Sequence, residues 1–211
     1  MSRQRKENKV WAVLTGIIDI IYVGLLWFIC SLPLISIGAA SSALYYSVVK
    51  SIRHERGQIT ASFFQAFKSN FKAGLVIWLV YLVYCAVWLL NMQMPELLGL
   101  DAGSLLYILL RLMIIPALIP LPWIFAYISR FSNNIGSSFK FAFYLSIKNF
   151  GRTVILLLIL GVSGLISWLL PTIIPLLPGI VCLFMSYQTE PVFKQITSAM
   201  DDNNADQWYN E

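Results

Sequence analysis

Charged and apolar positions fall into long separate blocks along this chain. No charged residue occurs from position 20 to 49, thirty residues with Ser-Leu-Pro-Leu-Ile-Ser-Ile-Gly-Ala-Ala-Ser at their middle. Further apolar blocks cover 73–94, 102–129 with Arg111 inside, and 153–189. An uncharged block of about 18 residues or more predicts a membrane span, because hydrocarbon offers no partner to a charge or to an open backbone group. The last block, 37 residues, is far longer than the ~20 that one helix needs. It predicts two helices, turning where Pro171, Pro175 and Pro178 remove amide donors. Basic residues flank the first block at both ends, which conflicts with a single crossing because Lys and Arg collect on the cytoplasmic side. That block therefore predicts a hairpin, with helices over 10–32 and 34–49 and a turn at Pro33, Ser36 and Gly38.

The expected fold is all-α: a polytopic transmembrane helical bundle of six helices in three hairpins, roughly 10–52, 70–131 and 149–193. It forms one domain over 1–193, followed by a polar acidic cytoplasmic tail over 194–211 that holds Asp201, Asp202, Asp206 and Glu211. One side of such a bundle carries Arg3, Arg5, Lys6 and Lys9, then Lys50, Arg53, Arg56, Lys68 and Lys72, then Arg130, Lys140, Lys148, Arg152 and Lys194. Those are fourteen of the fifteen Lys and Arg, so both termini are expected inside. The opposite turns, near Pro33, over 95–104 and over 171–178, hold no basic residue and include Glu96 and Asp101. Five crossings, with the first block as one long helix, would spoil this distribution. The other alternative is that 34–49, short for a span, dips in as a protein-buried re-entrant segment.

Composition agrees: 58% of the residues are apolar and 12% charged, about half the charged share of a soluble domain. The net charge of +5 sits in short loops, where topology accounts for it, and does not point to nucleic acid. Cys30, Cys85 and Cys182 lie singly within apolar blocks and read as small hydrophobes. Asp19 interrupts the stretch that would otherwise resemble a secretory signal core, so cleavage is not expected.

Two amphipathic stretches lie between the blocks. Phe63, Phe67 and Phe71 recur at helical spacing within 60–72, and Phe139, Phe143 and Ile147 within 137–150. With Lys68, Lys72, Lys140 and Lys148 beside them, they fit helices at the bilayer surface or helices packed under the bundle. Asn70-Phe71 before Lys72, and Asn149-Phe150 before Arg152, suggest an internal repeat of hairpins.

The ionisable residues inside spans, Asp19 and Arg111, are the sharpest candidates for function, since each costs about 2.5–3.5 kcal/mol at a helix centre. They form a candidate intramembrane pair, against the plainer expectation that Asp19 bonds within the bundle and Arg111 reaches outward. Gly38 and Ser42, like Ala39 and Ala43, stand four apart, a spacing that predicts close helix packing within the first hairpin, with a thin-walled cleft that approaches a ligand, or a dimer seam, as the alternative. Gly161 and Gly164 predict the same in the fifth helix. Lys50, Arg53 and Arg56, beside the single histidine His54, suit a topology anchor or a contact with lipid headgroups or a partner. No metal set, phosphate loop or nucleophile elbow is present, so neither a cofactor nor an enzymatic activity is expected.

The stretch 19–27, Ser31-Leu32-Pro33-Leu34-Ile35-Ser36-Ile37-Gly38-Ala39-Ala40, Ala43-Leu44-Tyr45-Tyr46, the basic segment 53–57 and the run 63–71 together resemble the YesL-like family of bacterial integral membrane proteins. Ser36 stands where that family commonly has threonine, and Gly24 where it often has asparagine. The family is a domain of unknown function. The resemblance implies a multi-pass protein of the bacterial plasma membrane, often encoded beside sugar-uptake systems. It makes a non-enzymatic accessory to carbohydrate import the first expectation, with a sugar transporter or sensor subunit as partner and a homo-oligomer as another possibility. A permease in its own right, with Asp19 and Arg111 lining a route, is the alternative.

Overall fold

The computed structural model describes residues 2–92, 104–131 and 134–200. Most of the outer turn over 95–104, with Glu96 and Asp101, and the acidic residues from Asp201 onward lie outside the described residues. The described residues are helical, without a strand: α1 Ser2–Ser31, α2 Ile37–Ser47, α3 Ile59–Asn91, α4 Leu105–Leu112, α5 Ile115–Leu118, α6 Leu121–Arg130, α7 Ile135–Lys148, α8 Phe150–Leu169 and α9 Leu177–Met200. Four stretches are long and apolar enough to cross a bilayer: Leu14–Ser31, Ile59–Asn91, Leu105–Arg130 and Phe150–Leu169. The chain is an integral, multi-pass membrane protein.

The first hairpin turns where expected. A short 3₁₀ segment, Leu34–Ser36, follows Pro33, and the Ser36 hydroxyl donates to the carbonyls of Cys30 and Pro33. Trp27 Nε1 donates to Ser41 Oγ across the hairpin at 3.1 Å. Beyond Ser47, α2 widens into a π-helical segment, Val48–Arg53. The chain then reverses through Glu55 (φ 53°) and Gly57 (φ 76°), a left-handed geometry that glycine adopts at no steric cost.

Small residues do bring helices together, but with a partner other than the one expected. The face of α2 that carries Gly38 and Ala39 packs on α3: a Cβ on Gly74 would lie 2.7 Å from the Ala39 backbone, and one on Gly38 would lie 2.2 Å from the Gly74 carbonyl. Ser42 is fully buried on α2 and satisfies its hydroxyl on the Ala39 carbonyl, which lets a polar residue serve as a small one. A second backbone contact joins α1 to α9, where a Cβ on Gly179 would meet the Ile20 carbonyl at 2.1 Å and one on Gly24 the Pro175 carbonyl at 2.9 Å. Gly161 and Gly164, expected to pack in the same way, do not: a Cβ on either meets nothing within 4 Å.

The block over 102–129 is one span but three helices. Pro116, Pro120 and Pro122 remove amide donors, and side chains of α3 replace them. Tyr84 donates to the Met113 carbonyl, and Trp88 Nε1 donates to the Arg111 carbonyl at 3.2 Å. Inside a membrane such replacement is what allows a broken helix.

Both amphipathic stretches pack back on the helix before them, and they do so differently. Residues 60–72 are the first half of the continuous α3, with Phe63 buried and Phe71 exposed. In α7 the buried face is Ser138, Ala142, Leu145 and Ser146, while Phe143 and Ile147 of the predicted stripe point outward. The Asn-Phe segments differ as well: Asn70 lies inside α3, whereas Asn149 separates α7 from α8. A closer correspondence is Ile59-x-x-Ser62-Phe63-x-x-Ala66-Phe67 with Ile135-x-x-Ser138-Phe139-x-x-Ala142-Phe143. Ser62, Ala66, Ser138 and Ala142 are all buried. The last helix continues past the boundary expected at 193, to Met200.

Gly74→Leu drives a side chain into the α2 backbone, and overpacking of that kind should cost ~3 kcal/mol or more. Gly161→Leu, with open space around it, should leave the unfolding midpoint in detergent within a degree or two of wild type. Equal midpoints for the two variants would refute the α2–α3 contact.

Candidate functional site

A polar constellation lies on one segment of α9, residues 186–190, and draws on three other helices. Arg130, the last residue of α6, sets Nη1 2.7 Å from Oε2 of Glu190, and both side chains are only 2% exposed. Tyr45 of α2 donates to Oε1 of the same carboxylate at 2.8 Å and lies 2.7 Å from the Thr189 hydroxyl. Arg53, at the end of the π-helical segment, donates to the Ser186 carbonyl at 2.8 Å and rests 4.5 Å from the centre of the Tyr187 ring. Arg152, early in α8, donates to the Gln188 carbonyl at 3.1 Å.

Pro191 lies inside α9 and cannot donate to the Tyr187 carbonyl one turn back. The guanidinium groups take the carbonyls on either side of that one, Arg53 that of Ser186 and Arg152 that of Gln188. Phe193, fully buried, closes the site from below, with ring centres 6.4 Å from Tyr45, 6.0 Å from Trp123 and 5.8 Å from Phe131. The Arg130 guanidinium lies 5.8 Å from the Phe193 ring. Beside it, Trp123 Nε1 donates to Thr153 Oγ1 at 3.0 Å, and that hydroxyl reaches the Ser146 carbonyl at 2.8 Å, tying α6, α8 and α7 together.

Three guanidinium groups thus converge on one segment of α9, and one of them pairs with its carboxylate. His54, in the loop after the π-helical segment, is held below its usual value by burial first and then by Lys194, with Arg53 and Arg130 adding to the effect and Glu190 opposing it. Both oxygens of Glu190 are engaged, so the arrangement suits a structural clasp better than proton transfer.

The residues singled out in the sequence are placed elsewhere. Arg111 donates to the Tyr107 hydroxyl at 2.8 Å and lies over its ring, one turn towards the N-terminus of α4. Asp19 is half-buried on α1, and among the described residues no ion pair joins it to Arg111. The candidate pair is not formed. Arg53 is turned inward to α9, and Lys50 donates to the Tyr46 hydroxyl at 3.0 Å. The Arg56 amide donates to the Lys50 carbonyl at 3.0 Å. Glu190, Arg152 and Pro191 were missed as site residues. The available signal was an acid followed by proline at the end of an apolar block that is otherwise flanked by bases.

Directly beside the clasp an apolar cleft of about 330 Å³ lies among the spans, lined by Trp27, Trp78, Phe125, Leu160, Gly164 and Val181. Tyr45 belongs to both: its ring faces the cleft and its hydroxyl holds Glu190.

Removing one partner of the buried pair, by Arg130→Ala or Glu190→Ala, should cost about 3–5 kcal/mol by leaving a dry uncompensated charge. The double variant Arg130→Met, Glu190→Leu should recover most of that loss in chemical unfolding from detergent. Additive losses in the double variant would show that the pair is not coupled.

Residues 20–92 match a family model described as "Protein of unknown function, DUF624". No curated protein and no solved structure matches the chain significantly. This part of the chain, which holds α2, Tyr45 and Arg53, is therefore similar to an uncharacterised family of unknown function.

Proposed function

We propose that the protein is a non-enzymatic accessory component of a bacterial plasma-membrane complex, linked to carbohydrate uptake, with both termini cytoplasmic. One observation carries the non-transport part of this reading: the buried ion pair and the arginines beside it tie helices to one another. Glu190 is closed by Arg130 and Tyr45, Arg53 and Arg152 hold carbonyls of α9, and Asp19 and Arg111 do not meet. A permease for a hydroxyl-rich solute needs polar groups free to exchange partners with it along a route. The carbohydrate link rests on the YesL-like resemblance, which is association rather than mechanism. A sugar transporter or sensor subunit is the partner it implies.

Six crossings follow if α2 with its π-helical extension, 17 residues over 37–53, and α9 are added to the four long apolar stretches. A re-entrant first hairpin is the second reading, and one observation favours it. The turn at 34–38 lies level with Gly74 and Trp78 of α3, and α3 continues 13 residues past Trp78 to Asn91, roughly 20 Å farther. The turn exposes Leu32, Leu34 and Ile35, while its carbonyls are taken by Ser36 and Trp78. A turn whose backbone is satisfied in this way can stop within hydrocarbon. Either reading keeps the basic loops inside.

Affinity purification from native membranes in mild detergent should recover a transport or sensor subunit in fixed ratio. Sugar flux into liposomes by the purified protein alone would overturn the accessory role. For the hairpin, Leu34→Cys in intact cells should resist a membrane-impermeant maleimide if the turn is re-entrant. Rapid labelling from outside would establish the six-crossing form.

A further inference from the structure

We propose that the cleft beside Tyr45 is a seat for one acyl chain of a bilayer phospholipid. Its place in the fold comes first: each of the four stretches able to cross a bilayer contributes to its wall, through Trp27, Trp78, Phe125 and Leu160. Its contents at that depth are drawn from hydrocarbon, from another protein segment or from a solute. The chemistry of the lining separates these.

No ionisable side chain other than the Tyr45 phenol and the Cys182 thiol lines the cleft, and its hydroxyl and indole groups already have partners within the protein. Trp27 Nε1 is given to Ser41 Oγ, Trp78 Nε1 to the Leu34 carbonyl, Ser163 Oγ to the Leu160 carbonyl, Ser167 Oγ to the Ser163 carbonyl and the Tyr45 hydroxyl to Glu190. A sugar entering here would leave its hydroxyls without partners, at a cost for each one. A hydrocarbon chain asks for none.

Size argues against a helix from a second protein. An α-helix is about 10 Å across with its side chains, so it would exhaust about 330 Å³ in less than one turn. An extended chain of methylenes, in contact at about 4 Å, can run the length of the same space. Glycine on the α8 wall fits this use. Gly164 lines the cleft with nothing within 4 Å of a built Cβ, so its missing side chain widens the cleft and brings no helix closer.

The test uses the full chain reconstituted in vesicles of phosphatidylethanolamine and phosphatidylglycerol, doped with a phospholipid that carries a diazirine in the distal half of one acyl chain. After irradiation, adducts are mapped to single residues. Labelling is expected on Ser163, Val181 and Cys182 in the cleft as well as on Leu158 and Val162, which face outward. Gly164→Phe, and separately Ser167→Phe, should lower the cleft adducts by roughly tenfold, since a phenyl ring displaces several buried methylenes. Adducts at Leu158 and Val162 should not change, and they report in the same sample that the helix is still inserted. In the wild type, excess unlabelled phospholipid should compete the cleft adducts, and glycerophosphate, a headgroup without tails, should not. The proposal is overturned if the cleft residues stay unlabelled while the outward ones react, or if neither phenylalanine variant nor unlabelled lipid lowers the cleft signal. It is equally overturned if cleft labelling appears only when the protein is diluted to monomers, which would make the occupant a second copy.

Discussion

The ion pair between Arg130 and Glu190 is the constraint on which the arrangement of the bundle depends. Two charges in a site walled by Tyr45, Trp123, Phe131 and Phe193 have given up hydration worth several kcal/mol each, and only good geometry returns it. The pair is thus a weak source of net stability and a strong source of register. If α9 rotated or slid by one residue, Glu190 would leave Arg130 and the Tyr45 hydroxyl together, and Arg130 would be left as an unpaired buried charge. Because Arg130 ends α6 and Tyr45 lies on α2, fixing Glu190 fixes three helices at once. Arg53 and Arg152 extend the same logic to the backbone, since they bond the Ser186 and Gln188 carbonyls of α9. α9 is the last of the described helices, so the α2–α6 core has its buried arginine uncompensated until that helix docks.

Packing above the clasp obeys a different rule. Lipid tails are as apolar as leucine, so helices in a membrane gain little by hiding apolar surface from one another and associate through close contact instead. The structure spends its small residues accordingly. Gly38 meets Gly74, and Gly24 meets Gly179, each where any Cβ would strike backbone. The glycines of α8 have no such neighbour, and Gly164 opens into the cleft. One residue type has two opposite uses here, and only the facing helix tells them apart.

That ambiguity marks how far the sequence can be read. The apolar blocks, the turns at Pro33 and near Pro171, and the all-helical class are legible because hydrocarbon imposes them on any chain. Which face of a helix meets protein is not legible, because lipid-facing and protein-facing sides are both apolar. Thus the stripe of Phe139, Phe143 and Ile147 suits a helix at the bilayer surface and a helix packed under the bundle alike, and in α7 it is the serines and alanines beside it that are buried. The site was hidden for a related reason. Arg130 has the position of an ordinary inside-loop anchor, and charge counting treats it as equivalent to Lys140 or Lys148. Glu190 falls one residue beyond the last apolar block, where an acid normally signals water. Asp19 and Arg111 drew attention because they interrupt spans, but an isolated charge near a helix end can reach its own partner, as Arg111 does with Tyr107.

The correspondence between Ile59–Phe67 and Ile135–Phe143 connects these points. Each stretch follows a helix that ends in an arginine, Arg53 or Arg130, and each packs back along that helix with a buried serine and alanine. Both arginines turn to the same segment of α9. A single helix cannot present equivalent partners to two sites at different positions around it, so the two halves meet it unequally. Arg130 finds a carboxylate and becomes buried, while Arg53 finds the Ser186 carbonyl and the Tyr187 ring and stays partly exposed. A guanidinium that keeps some water loses less when its partner moves. The Arg53 side of the clasp is therefore the side that can yield, and the Arg130 side holds register while it does. Tyr45 stands on the rigid side with its ring in the cleft, so whatever fills the cleft bears on the residue that positions Glu190.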